Sequence, residues 1–118
     1  MQKINLDELR KMDNPDAASL FFVKEVLRGI DFGAACGMMG PGHQNAYHYH
    51  EKHESIFFVL GGEATVIVED KEYVLKSNDV MYVAPGEKHQ IINKSDQVYR
   101  YLEFQIPSPD MADNIKVK

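Results

Sequence analysis

From Leu20 onward the chain alternates short apolar runs, rich in Val, Ile, Phe and Tyr, with turn residues at close intervals. The runs predict strands over residues 21–27, 32–38, 44–50, 56–60, 63–69, 72–75, 80–83, 89–92 and 98–106. The breaks between them are Arg28-Gly29, Gly40-Pro41-Gly42, Gly61-Gly62, Asp70-Lys71, Ser77-Asn78-Asp79, Pro85-Gly86 and the run from Asn93 to Asp96. These gaps are too short for the crossover helices of a parallel sheet. Evenly spaced short strands without helices between them read as an all-β antiparallel sandwich or barrel. Residues 1–18 have a different texture. They are polar, with Ile4, Leu6, Leu9 and Met12 forming one apolar edge of a short helical turn closed by Asn14-Pro15. The expected organisation is an N-terminal extension over 1–19, a β domain over 20–106, and a tail over 107–118 held loosely at the end.

A chain of 118 residues is the size of one domain. Its charge of 13 − 18 = −5, with no basic cluster, argues against nucleic acid and anionic membrane as partners. Cys36 is the single cysteine, so no internal disulfide forms. The first residues carry acidic groups and no long apolar run, and no later stretch approaches the roughly 18 apolar residues of a membrane span. A cytoplasmic location is the expectation.

Four of the five histidines lie between His43 and His53. His48 and His50 are two apart, so on a strand they share a face and can chelate one ion. Glu54 follows before the run IFFVL. If that run continues its parity, Glu54 points inward with Ile56, Phe58 and Leu60, where a lone carboxylate would be costly and a cation would offset the cost. His89 opens a strand after Pro85-Gly86 and can swing toward a neighbour. Three imidazoles and a carboxylate suit Mn, Fe, Co, Ni or Zn. His53 has the opposite parity to His48 and should point away, toward the rim or the surface, and His43 sits in an entry loop. Cys36 and Met38 share a parity that suits core packing.

The segment from Gly42 to Gly61 has the form G-x5-H-x-H-x3-E-x6-G, through His48, His50 and Glu54. It resembles the first signature motif of the cupin superfamily. Gly86, His89 and Asn93 are in register with the second cupin motif, while Asn78 and Ala84 stand where that motif has Gly and Pro. Asn tolerates a left-handed backbone better than most residues, so Asn78 can make the turn. The resemblance implies an antiparallel double-stranded β-helix, a jelly-roll or cupin barrel, with His48, His50, Glu54 and His89 as ligands of a divalent transition metal.

The resemblance spans enzymes and proteins without known chemistry, and fold alone does not select among them. The expected function is a metalloenzyme acting on a small carboxylate- or carbonyl-bearing molecule that chelates the metal, of dioxygenase or decarboxylase/isomerase type. The alternative is a non-catalytic metal- or ligand-binding module. Four residues are candidates for the substrate pocket. Gln44 shares the parity of His48 and either lines the pocket or lies at the surface. Phe58 and Phe104 belong to apolar sets assigned to the barrel interior. Arg100 interrupts the last of these sets, either pointing inward to anchor a substrate carboxylate or lying at the strand end in solvent. No residue is clearly placed as a dedicated general base. Exposed edge strands, with residues 20–27 free to add to a partner's sheet, predict a homodimer.

Overall fold

The computed structural model describes residues 1–14, 20–107 and 113–118. Asn5 caps a short helix, α1 (Leu6–Lys11), its side chain accepting from the Glu8 N–H at 3.1 Å. Pro15, expected to help close this turn, lies outside the described residues. Among the described residues ten strands follow: β1 (Phe21–Arg28), β2 (Gly33–Met39), β3 (His48–Tyr49), β4 (Glu54–Gly61), β5 (Glu63–Val68), β6 (Lys71–Lys76), β7 (Val80–Val83), β8 (His89–Ile92), β9 (Tyr99–Ile106) and β10 (Ile115–Lys116).

The strands form two five-stranded antiparallel sheets, in the orders β1-β2-β9-β4-β7 and β10-β3-β8-β5-β6. The antiparallel character agrees with the sequence, but the closed barrel does not form. Closure requires a continuous hydrogen-bond ladder with a fixed stagger. Here the chain crosses between sheets in turns at Gly61-Gly62, Ser77–Asp79 and the loops flanking β8, and among the described residues each sheet keeps two edges that do not pair with each other. Left-handed backbone makes three of these turns: Gly62 at φ 74°, Asn78 at φ 76° and Gly86 at φ 85°. At Gly62 a Cβ would meet the Val98 carbonyl oxygen at 2.4 Å, so glycine is required there on two counts. Glu69 and Asp70, also at positive φ, form the two-residue hairpin between β5 and β6.

Two apolar clusters hold the fold. The inner one lies between the sheets and joins Met39, Phe57, Val59, Tyr99 and Tyr101 of one sheet to Ala64, Val66 and Ile91 of the other. The second lies on the outer face of the first sheet, where Leu9 of α1 packs with Ala34, Cys36, Leu60 and Leu102, supported by Phe58 and Phe104. Arg10 fastens the helix by donating to the Leu60 carbonyl at 3.0 Å. Strands β4 and β9 are therefore covered on both faces, and this reverses an expectation. Phe58, Leu60, Leu102 and Phe104 face α1, while Ser55, Phe57, Tyr101 and Glu103 face the space between the sheets.

The chain end is also more structured than expected. β10 pairs with β3, with Ile115 opposite Tyr49 and Lys116 opposite His48, and Asp113 is buried.

Candidate metal site

The register of β3 and β8 sets His48 directly opposite His89, and His50 follows His48 by two residues at the end of β3. The three rings meet with centroids 4.2 Å (His48–His89), 5.0 Å (His48–His50) and 5.3 Å (His50–His89) apart. All three are buried. Each ring is oriented through Nδ1 by a backbone carbonyl: His48 to Ala46 at 2.7 Å, His50 to Asp113 at 3.0 Å and His89 to Glu87 at 3.0 Å. A carbonyl oxygen only accepts, so each Nδ1 carries the hydrogen and each Nε2 presents a lone pair. One donor atom from each of the three residues lies within 4.8 Å of the others.

The donor set fits a metal ion. His89 Nε2 is buried without any hydrogen-bond partner among the described residues, an arrangement that buried polar atoms rarely show. Burial lowers the pKa of all three imidazoles, in His89 to about 4, with repulsion from His48 adding to the shift there. All three are neutral near pH 7, the state in which imidazole binds metal.

The sequence-predicted carboxylate is not brought to this cluster. Glu54 is half-buried on the outward face of β4, opposite Ile106, and takes no part in the donor group. The turn geometry shows why. The left-handed glycine after β4 is Gly62, not Gly61, and the same six-residue gap counted back from Gly62 ends on Ser55. Ser55 is the residue that is buried and inward-facing at that position. A carboxylate does line the cavity, but from the neighbouring strand. Glu103 Oε2 accepts from Ser55 Oγ at 2.8 Å and from Gln105 Nε2 at 3.1 Å. Burial pushes the Glu103 carboxyl up to about 7, against the lowering effect of those two hydrogen bonds.

His53, expected to point away, is buried and stacked on His50 with centroids 4.0 Å apart. The strand ends at Tyr49, so parity no longer governs residue 53. Its Nδ1 lies 3.2 Å from Asp113 Oδ2, and its Nε2 lies 3.4 Å from Gln105 Nε2. Asp113 organises this turn. Its carboxylate accepts from the backbone N–H groups of Glu51, Lys52 and His53, while its carbonyl orients His50. Burial acts to raise the Asp113 carboxyl, but those N–H groups and His53 outweigh it and hold the carboxyl below its ordinary value. His50, His53 and Asp113 form a second donor group of the same span that can hold an ion, although hydrogen bonds already engage it.

The histidines open into a cavity of about 400 Å³, lined by the apolar Phe21, Phe57 and Ile91 and by Tyr101, Glu103 and Gln105. Gly37 gives Tyr101 room: a Cβ there would lie 2.3 Å from the ring. Of the expected pocket residues, none lines this cavity. Gln44 is exposed in an isolated bridge to Ile92. Phe58 packs toward α1, and Phe104 lines a separate apolar hollow with Phe32 and Ile56. The Arg100 guanidinium donates to the Met12 carbonyl and the Met38 sulfur. The cation on the cavity wall is instead Lys116 of β10. Sequence parity missed Glu103, Gln105 and Lys116. The signal for the first two was present, because Tyr99, Tyr101, Glu103 and Gln105 alternate along β9.

A family model, Cupin_2 (cupin domain), matches residues 37–104. The chain belongs to the cupin domain family. Its likenesses run across diverse proteins. It is 28% identical over 98 residues to the tetracenomycin polyketide synthase protein TcmJ of Streptomyces glaucescens, covering 75% of this chain and 65% of that protein. The chain spans less than two thirds of the length of the curated relatives it matches. A solved structure from Thermus thermophilus superposes with a TM-score of 0.80 at 21% identity, over 92% of this chain and 100% of that one. KdgF from Halomonas sp. superposes with a TM-score of 0.72 at 23% identity, over 85% and 92% of the two chains. At these identities the two structures establish the fold alone. No helix among the described residues is long and apolar enough to cross a membrane.

Proposed function

We propose that this chain is a metal-dependent enzyme for a small carbonyl- or carboxylate-bearing molecule, with His48, His50 and His89 as ligands of a divalent transition metal. The observation that carries the reading is the common orientation of the three rings: every Nδ1 is committed to a carbonyl, and the buried Nε2 of His89 has no partner among the described residues. When bound, the ion supplies Lewis-acid polarisation of a coordinated carbonyl and a template for a bidentate ligand. Mn, Fe, Co, Ni and Zn all accept such ligands.

The protein's own groups supply the rest. Lys116 offers a charge-assisted hydrogen bond to a substrate carboxylate. Phe21, Phe57 and Ile91 supply apolar surface to the cavity lining. TcmJ is by name a polyketide synthase protein, and polyketide chains carry repeated carbonyl groups, which supports a carbonyl-bearing substrate. The exposed β1 edge, with Val23 half exposed, supports a homodimer.

Co²⁺ titration followed by oxalate addition tests the reading. The expected result is one bound ion per chain and an oxalate affinity that falls about tenfold in Lys116→Met, equivalent to one charge-assisted contact. Absence of Co²⁺ binding contradicts it.

A further inference from the structure

Resting on the metal-site reading above, we infer that Glu103 is the proton acceptor of this cavity and that the substrate carries an acidic C–H beside its metal-seeking carbonyl. The inference starts from how the carboxylate is held. Both protein hydrogen bonds to Glu103 fall on Oε2, from Ser55 and from Gln105. Among the described residues Oε1 takes none, and Glu103 lines the cavity that the three imidazoles face. The carboxylate is thus fixed at one oxygen and open at the other.

Two structural readings of Glu103 fit less well. A purely structural buried carboxylate has its acceptor sites filled, commonly by a cation or several backbone N–H groups, as Asp113 does here. Among the described residues Glu103 receives two neutral donors and no ion pair at the distances that define one. A fourth metal ligand would join the donor group of His48, His50 and His89, which contains no Glu103 oxygen.

Its partners are themselves held in place. One Gln105 N–H goes to Glu103 Oε2, the other faces His53 Nε2, and His53 Nδ1 meets Asp113. This orders the Gln105 amide so that it donates to Glu103 and does not accept from it. A partly buried carboxylate held by neutral donors is a stronger base than one in water, which suits proton abstraction near neutral pH.

The step balances without an oxidant. The C–H bond next to the carbonyl breaks, its electron pair forms the C–C π bond as the carbonyl becomes an enolate, and the proton forms an O–H bond with Glu103 Oε1. Exchange of the Glu103 proton with solvent and return of a solvent proton to the same carbon restore the carboxylate and give hydrogen exchange, or epimerisation where that carbon is a stereocentre. This favours isomerase-type over dioxygen chemistry.

Pyruvate is a suitable probe, since it combines a carboxylate, a carbonyl and adjacent C–H bonds. Wild type and Glu103→Gln are loaded with Co²⁺ in deuterated water, Co²⁺ and pyruvate affinities are measured by absorption titration, and deuterium entry at the methyl group is followed by mass spectrometry. The expected result is exchange above that of free Co²⁺ in wild type, at least about 100-fold slower in Glu103→Gln, with both affinities unchanged. Equal exchange in the two proteins, or none above free Co²⁺ in wild type that binds both Co²⁺ and pyruvate, overturns the inference and leaves the metal site standing. A loss of Co²⁺ affinity in Glu103→Gln also overturns it, because Glu103 would then be a ligand. Failure of wild type to bind Co²⁺ at all removes the metal-site reading, and the inference with it.

Discussion

Glu54 and Glu103 differ by which face of a sheet they occupy, and that difference separates a surface carboxylate from one on the cavity wall. Glu54→Gln should change Co²⁺ affinity by less than about twofold, since Glu54 lies on the outward face of β4; a loss of tenfold or more would show that β4 carries it inward. Glu103 has a measurable pH signature. Its carboxyl is raised from an ordinary 4.5 to about 7 in the folded chain. The folded state therefore binds the proton more tightly than the unfolded state, so this group's contribution is full below about pH 4.5 and is lost as pH rises through 7, on the order of 3 kcal/mol in all. Urea unfolding of the metal-free protein should show wild type losing stability relative to Glu103→Gln between pH 5 and pH 8. Parallel pH dependence in the two would mean that the carboxyl is not raised. The sequence made His48, His50 and His89 legible because two-residue spacing and motif register do not depend on which way a strand faces. It did not make the carboxylate legible, because Ser55 and Glu54 are adjacent and the face each takes follows from the pairing of β4 with β9 and β7, strands distant in sequence.

At the scale of elements, α1 and β10 explain most of what parity misjudged. Reading β9 as apolar-inward assumed one wet face. Leu9 and its neighbours cover that face, so both faces are dry and the polar set of Tyr101, Glu103 and Gln105 turns inward, where the cavity uses it. No local pattern in residues 98–106 reveals that a helix almost a hundred residues earlier packs on them. The C-terminal segment was undervalued for a similar reason, because its polar composition hides a long-range role. Asp113 fixes the turn at 51–53 and orients His50. Asp113→Ala removes a carboxylate that accepts several backbone N–H bonds, each worth about 1.5–3 kcal/mol when the acceptor is charged. Its melting temperature should fall, and its Co²⁺ affinity should fall roughly 10–100-fold, as for other supports of metal ligands. Unchanged affinity in a folded variant would show that the carbonyl alone positions His50.

At the scale of the whole molecule, the even strand spacing conveyed an antiparallel all-β fold, but not whether its sheets close. Closure depends on pairing between edges distant in sequence, and here β1 and β7 in one sheet and β10 and β6 in the other remain edges. The open β1 edge is the reason to expect a dimer, and light scattering at micromolar concentration should give twice the 13.5 kDa of one chain; a monomer would contradict that part of the account. The second sheet sets β3 and β8 side by side, with His48 opposite His89 and His50 beside them, and the first sheet faces this cluster across the cavity with β9. The most direct test of this arrangement is equilibrium Co²⁺ binding by wild type and by the doubly substituted His48→Ala, His50→Ala protein, with folding checked by circular dichroism. One ion per wild-type chain and none on the folded variant is the predicted result. Equal binding by both, or no binding by wild type, would contradict the account.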